Sequence, residues 1–354
     1  MIGLSHSENG HKMKIDELLR NKYWMPTTLN FDDMFFEEIS ERTLKDSPFL
    51  DSRAVGKTGR TIKIPISHLL ERRHTISPEG SLNHIFHISH VGSTFVARLY
   101  DIFFDVDVFR EPPIFKGIAF LCREAQHGVT PFSAEDLSVL YDLICRLLMR
   151  GNNNTIVKHS SQNLIIPDFA EINDAEPKPV LFIYTSLIKF LCHGLSSSGA
   201  QGDAMNGADA RIKFFNQVST LDTVALVTLS KIQLIALIWV VEMIKILNRF
   251  DERRGDELFN FDKVLETQDR ITIIESLSKT FHLPISVSKS TDIKSASIWE
   301  TNSKGLSLGG FEKRKQKIEK TAVEQNDLIS EGIEWVQSLC NRNVMFRSLS
   351  RYIE

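Results

Sequence analysis

The sequence predicts an α/β fold, a parallel sheet covered by helices in three layers, with a mostly helical C-terminal part. Three observations carry this. Strand-like runs alternate with helix-like segments between about 83 and 195, which calls for parallel pairing through right-handed crossovers. The first of these strands runs through a tight polar turn straight into a helix. Beyond about 216 the periodicity becomes almost entirely helical, and those helices have a two-faced sheet to cover.

The elements follow in order. Residues 1–80 read as an N-terminal extension packing on the core. In it Leu18, Leu19 and Trp24 suggest a short anchoring helix. Thr61 to Ile66 (TIKIPI) alternates like an edge strand, with Pro65 keeping it from a central place. Residues 81–215 form the α/β core. Its strands are Asn83–Ser89, Val106–Phe109, Thr155–Lys158 and Val180–Thr185. Its helices run from Ser93 to about Phe104, from Ser133 to Met149, and from about 186 to 195. Ser133 with Asp136 three positions later is a capping pattern. The stretch 196–209, rich in Ser, Gly and Ala, reads as a loop. Residues 216–354 form the helical part of the same domain, with helices near 219–249, 269–282 and 312–341.

Composition narrows the function classes. The chain has 354 residues with 42 basic and 45 acidic side chains, and 42 − 45 gives a net charge of −3. That balance excludes broad nucleic-acid coating, which needs a basic face. Cys122, Cys145, Cys192 and Cys340 are widely spaced and form no C-x-x-C pair. They read as reduced thiols in a cytoplasmic protein rather than zinc ligands or disulfides. No targeting segment is visible at the N-terminus. The apolar stretch Val224–Leu247 contains Lys231, Glu242 and Lys245, charges that are costly in lipid. It reads as a buried helix, not a membrane span.

The chemistry concentrates in Phe86-His87-Ile88-Ser89-His90-Val91-Gly92-Ser93-Thr94. Backbone N–H groups at a helix N-terminus favour an anion. Gly92 permits close approach, and Ser93 and Thr94 add hydroxyl donors. A nucleoside-triphosphate loop of the form G-x-x-x-x-G-K-[ST] is absent, because His87 and Ser93 stand where that pattern has Gly and Lys. A bare helix cap is the plain alternative. His84, His87 and His90 alternate along a strand and its loop, which makes a poor metal cluster, and no metal is expected.

The segment HIFHISHVGSTFVARLYD resembles the 5′-phosphosulfate loop of the sulfotransferase superfamily, whose bacterial members include many of unassigned activity. SPFLDSR (47–53), VFREPPIF (108–115), TIVKHSSQNLIIPDF (155–169) and VLFIYTSLIKFL (180–191) are colinear with it. The resemblance implies a P-loop NTPase-like fold and 3′-phosphoadenylyl sulfate as co-substrate, with a small-molecule, glycan or peptide acceptor. His90, Val91, Gly92, Ser93 and Thr94 fall on the donor-binding loop. His90 stands where many members have Lys or Arg, and a neutral imidazole is a weaker clamp than a permanent cation. Glu111 falls near the family's general base, beside Arg110, which serves either the transferring charge or an ion pair with Glu111. Lys158 ends a strand on the loop's edge of the sheet, where ligands bind. With Glu111 and His90 it completes the implied catalytic set. Thr185 and His193 align with the 3′-phosphate positions, although neither is the family's residue. Ser303, Lys304 and Gly305, and Gly309 to Arg314, resemble the nucleotide lid, while Glu312–Lys320 also reads as a solvated helix face.

The expected function is sulfuryl transfer from 3′-phosphoadenylyl sulfate to a hydroxyl or amine. Segments 113–132 and 196–270 are where an acceptor pocket would be built. Two other readings stand beside it. One is a non-catalytic nucleotide- or anion-binding protein on the same fold. The other is a P-loop kinase or nucleotidase, which the missing loop lysine disfavours.

Overall fold

The computed structural model describes residues 15–50, 54, 59–76, 80–126, 128–150, 154–167, 178–219, 223–266, 269–286, 293–300 and 310–354. Its centre is a five-stranded parallel sheet. The strands are β4 (Ser81–His87), β5 (Asp107–Arg110), β6 (Asn154–Lys158), β7 (Val180–Tyr184) and β8 (Glu257–Asn260). Their order is β5-β6-β4-β7-β8, with every pairing parallel. All five strands run in one direction, so the loops after β4, β5 and β6 open on one edge. Crevices at that carboxyl edge are where α/β sheets bind ligands.

Alternation along the strands feeds two cores. Val108 and Ile156 belong to one, with the helices Ser93–Phe103, Leu187–Ser196 and Lys231–Leu247. Phe109 and Val157 belong to the other, with the helices Ile114–Gln126 and Ala134–Leu148. The sheet is therefore covered on both faces, an α/β arrangement in layers. The Lys231–Leu247 helix is apolar almost all round, and Trp239 within it donates to Thr185 O at 2.9 Å. Among the described residues no helix is long and apolar enough to cross a membrane.

The N-terminal region contains more sheet than its weak periodicity suggests. The helix Ile15–Arg20 buries Leu18 and Leu19, but Trp24 opens a strand. β1 (Trp24–Leu29), β2 (Asp33–Glu38) and β3 (Thr61–Pro65) form an antiparallel sheet with β3 at an edge. Its Trp24, Phe36 and Ile64 share a core with Ile114 and Leu140.

Several expectations are corrected. The segment 196–209 is helical, as Ser198–Asn206 and the start of Ala208–Val218, with Ser197 capping the first by accepting from Ala200 N. The helix expected from 219 begins at Lys231, where Ser230 and Gln233 form a capping box. The stretch 312–341 is two helices, Gly310–Glu324 and Asn326–Arg342. Residues Ile114–Gln126, within the segment expected to build an acceptor pocket, are a helix. Pro112 and Pro113 precede it, and Phe115, Ile118, Ala119 and Cys122 form its buried stripe. Strand β8 was not foreseen. All four cysteines are buried and unpaired by disulfide.

Candidate functional site

The loop after β4 takes its shape from two left-handed residues. His90 has φ 60° and Gly92 φ 86°. Ile88 N still donates to Ile183 O at 3.1 Å, so the sheet ladder ends just before the bend. The helix Ser93–Phe103 then begins with Gly92 as its cap and no side-chain cap bond. No described residue accepts from the N–H groups of Val91, Gly92, Ser93 or Thr94. Buried donors are normally paired, so this turn presents a ready cradle for an anion. Gly92 has a second reason to be glycine. A Cβ there would stand 2.2 Å from the Phe261 ring.

Ser89, the residue before the bend, is anchored elsewhere. Its N–H donates to Glu242 Oε2 at 2.6 Å and its hydroxyl to Glu242 Oε1 at 3.0 Å. Arg211 Nη2 lies 3.6 Å from the same carboxylate. Burial raises the Glu242 carboxyl above its ordinary range, opposed by Arg211 and the two Ser89 bonds. The buried helix thus grips the loop from behind through a carboxylate.

A cavity of about 650 Å³ opens at this edge. His90, Val91, Gly92, Ser93 and Thr94 line it, as do Glu111, Lys158 and His193. Glu111 has φ 57°, a rare backbone state for a non-glycine residue, seen chiefly at functional positions. The amide of Glu111 donates to Lys158 O at 2.7 Å, and Lys158 Nζ donates to Glu111 Oε1. The lysine is 1% exposed and the glutamate 15%. Phe49 also lines the cavity, and Lys158 Nζ sits 5.5 Å from its ring centroid. His90 Nε2 lies 2.9 Å from Asp203 Oδ2, and its ring is 5.5 Å from that of His193.

Two expected roles are not met. Arg110 neither faces the cavity nor pairs with Glu111. It is fully buried and donates to the carbonyls of Leu44, Lys45 and Ser47 and to Asp101 Oδ2. It fastens the segment carrying Phe49 to β5. Thr185 does not reach the cavity either. Its hydroxyl donates to Asp262 Oδ1, and Ser186 N donates to Asp262 Oδ2 at 2.8 Å. The aspartate therefore takes the start of the Leu187–Ser196 helix, where an anion would otherwise sit. Ser303, Lys304, Gly305 and Gly309 lie outside the described residues, as do the side chains of Phe311 and Arg314.

Three cations were missed or undervalued. Lys116, Lys313 and Lys317 line the cavity. Lys313 and Lys317 are four apart and share one helix face, a spacing visible in the sequence. Lys116 stands on the helix Ile114–Gln126. With Lys158, the described lining residues include four lysines against Glu111 and Asp203, so 4 − 2 gives an excess of two positive charges among them.

No family model matches the chain, and neither a curated protein nor a solved structure matches it.

Proposed function

We propose that the protein is a P-loop-like sulfotransferase, taking a sulfuryl group from 3′-phosphoadenylyl sulfate to a hydroxyl or amine. One observation carries the reading. The open N–H groups of the loop after β4, Glu111 at the end of β5 and Lys158 at the end of β6 meet in a single cationic cavity. The 5′-phosphosulfate would lie on the loop from His90 to Thr94. The acceptor oxygen forms the new bond to sulfur while the bond from sulfur to the bridging oxygen breaks. The acceptor's proton passes to Glu111. As Glu111 is neutralised, its hold on Lys158 weakens, and the ammonium turns to the charge growing on the departing phosphate.

A second reading is favoured by a separate observation. The Asp262 carboxylate beside Thr185 repels a 3′-phosphate at the position the resemblance assigns to it. This supports a protein that binds a simpler phosphate or sulfate ester without adenylyl sulfate chemistry. Incubation with 3′-phosphoadenylyl sulfate and a panel of phenol, alcohol and amine acceptors separates the two. Sulfated product that vanishes in Glu111→Gln supports transfer. Absence of product from every acceptor, with sulfate ester binding intact, supports the second reading.

A further inference from the structure

A second cavity, of about 490 Å³, lies under the Ala134–Leu148 helix, on the sheet face that carries Leu82, His84 and Phe86. We infer that it is a binding site for a small amphiphilic anion, an aryl or acyl chain ending in a carboxylate or sulfonate. This site is independent of the proposed transferase activity.

The volume falls within the range of small-molecule sites, about 300–1,000 Å³. The walls are apolar where the cavity meets the sheet, through Leu82, Phe86, Val180 and Phe182, with Met149 from the loop side. A hydrated ion gains nothing from such walls, whereas a ring or alkyl chain does. Two polar groups converge at their edge. Tyr141 Oη lies 3.0 Å from His84 Nε2, and His84 Nδ1 lies 2.9 Å from His159 Nε2. Burial and nearby Lys178 push the His84 imidazole down to about 3, so it is neutral at ordinary pH. The floor therefore carries polar groups that bear no charge.

Charge enters at the rim. Arg146 is paired with Asp142 at 2.7 Å, and Arg254 with Asp256 at 2.5 Å. Arg73 and Lys178 are in no ion pair with a described residue, and Glu135 is the remaining rim acid. Among the described lining residues, with the paired groups set aside, 2 − 1 leaves one positive charge. An apolar wall below a net cationic rim selects an apolar body with an anionic end.

The two cavities are also joined. His159 stacks on Phe86 at 4.2 Å, and its carbonyl lies 2.8 Å from His87 Nε2. His87 lines the first cavity, as Phe86 and His84 line the second. Both cavities thus rest on neighbouring residues of one strand and the buried His159.

The probe is 8-anilinonaphthalene-1-sulfonate, followed by fluorescence titration of the folded full chain. We expect one saturable site, displaced by dodecanoate and not by dodecylammonium. Arg73→Gln with Lys178→Gln should weaken it about tenfold, roughly threefold per charge. These rim changes leave the core intact. Val139→Trp fills the cavity and should remove the site while the thermal midpoint holds. Dye binding equal in the double rim variant and wild type, or insensitive to dodecanoate, overturns the inference.

Discussion

Glu111 and Lys158 are joined twice across adjacent strands. The backbone N–H of Glu111 donates to Lys158 O at 2.7 Å, and the Lys158 ammonium donates to Glu111 Oε1. The first bond aims the glutamate out of β5 at φ 57°, and the second fixes where its carboxylate points. Base and cation are thus held together at the mouth of the loop rather than at opposite sides of the cavity.

This pairing makes a stability prediction. Removing one partner leaves the other charge nearly buried, which costs about 3 kcal/mol. Glu111→Gln and Lys158→Met should each lower stability by that order. The double variant should recover much of the loss. Urea denaturation as a double-mutant cycle reads the coupling, and additive losses would show that the pair is not coupled.

Gly92 packs the loop against Phe261, in the turn that follows β8. An added Cβ meets that ring and also faces φ 86°. Gly92→Ala should destabilise by about 2–3 kcal/mol, from overpacking and left-handed strain together. Adding Phe261→Leu should recover the packing part and leave about 1 kcal/mol of backbone strain. Thermal unfolding of the three variants checks this. A harmless Gly92→Ala would contradict the close approach.

Glu242 gives a pH signature. Its folded value lies above the ordinary 4.5, so the native state binds more protons than the unfolded chain. Its contribution is present at low pH and is lost as pH rises through the folded value. Relative to Glu242→Gln, the wild type should lose stability as pH rises above the ordinary 4.5. A flat difference across that range would place the folded value at the ordinary one.

The histidines act in the opposite sense. His84 falls from 6.5 to about 3, and burial pushes His87 and His159 well below the usual range. The unfolded chain takes up these protons first. Stability should therefore fall as pH drops below 6.5 and continue falling toward about 3. His84→Gln should flatten part of that slope, measured by chemical denaturation at a series of pH values.

The parallel sheet was legible because β-rich runs and caps repeat in order. β4, β6 and β7 lie within two residues of their sequence positions, and Ser133 caps its helix as the S-x-x-D spacing implies. β1 was not legible, since its pattern is buried on both sides and lacks alternation. Trp24, Met25, Pro26 and Thr27 are all buried. β8 is short, and only its pairing with β7 identifies it. At the site, the loop from His90 to Thr94 announces itself by local composition. The commitments of Arg110 to Leu44, Lys45 and Ser47, and of Thr185 to Asp262, do not. They depend on partners 63 to 77 residues away. No local pattern carries that information.

The most direct test of the donor site is calorimetric titration with adenosine 3′,5′-bisphosphate, comparing wild type with Ser93→Ala. The account predicts micromolar binding to the wild type and at least about tenfold weaker binding to the variant, the loss of a charge-assisted hydrogen bond. Absence of heat from the wild type at millimolar bisphosphate, or equal affinity in the two proteins, would contradict it.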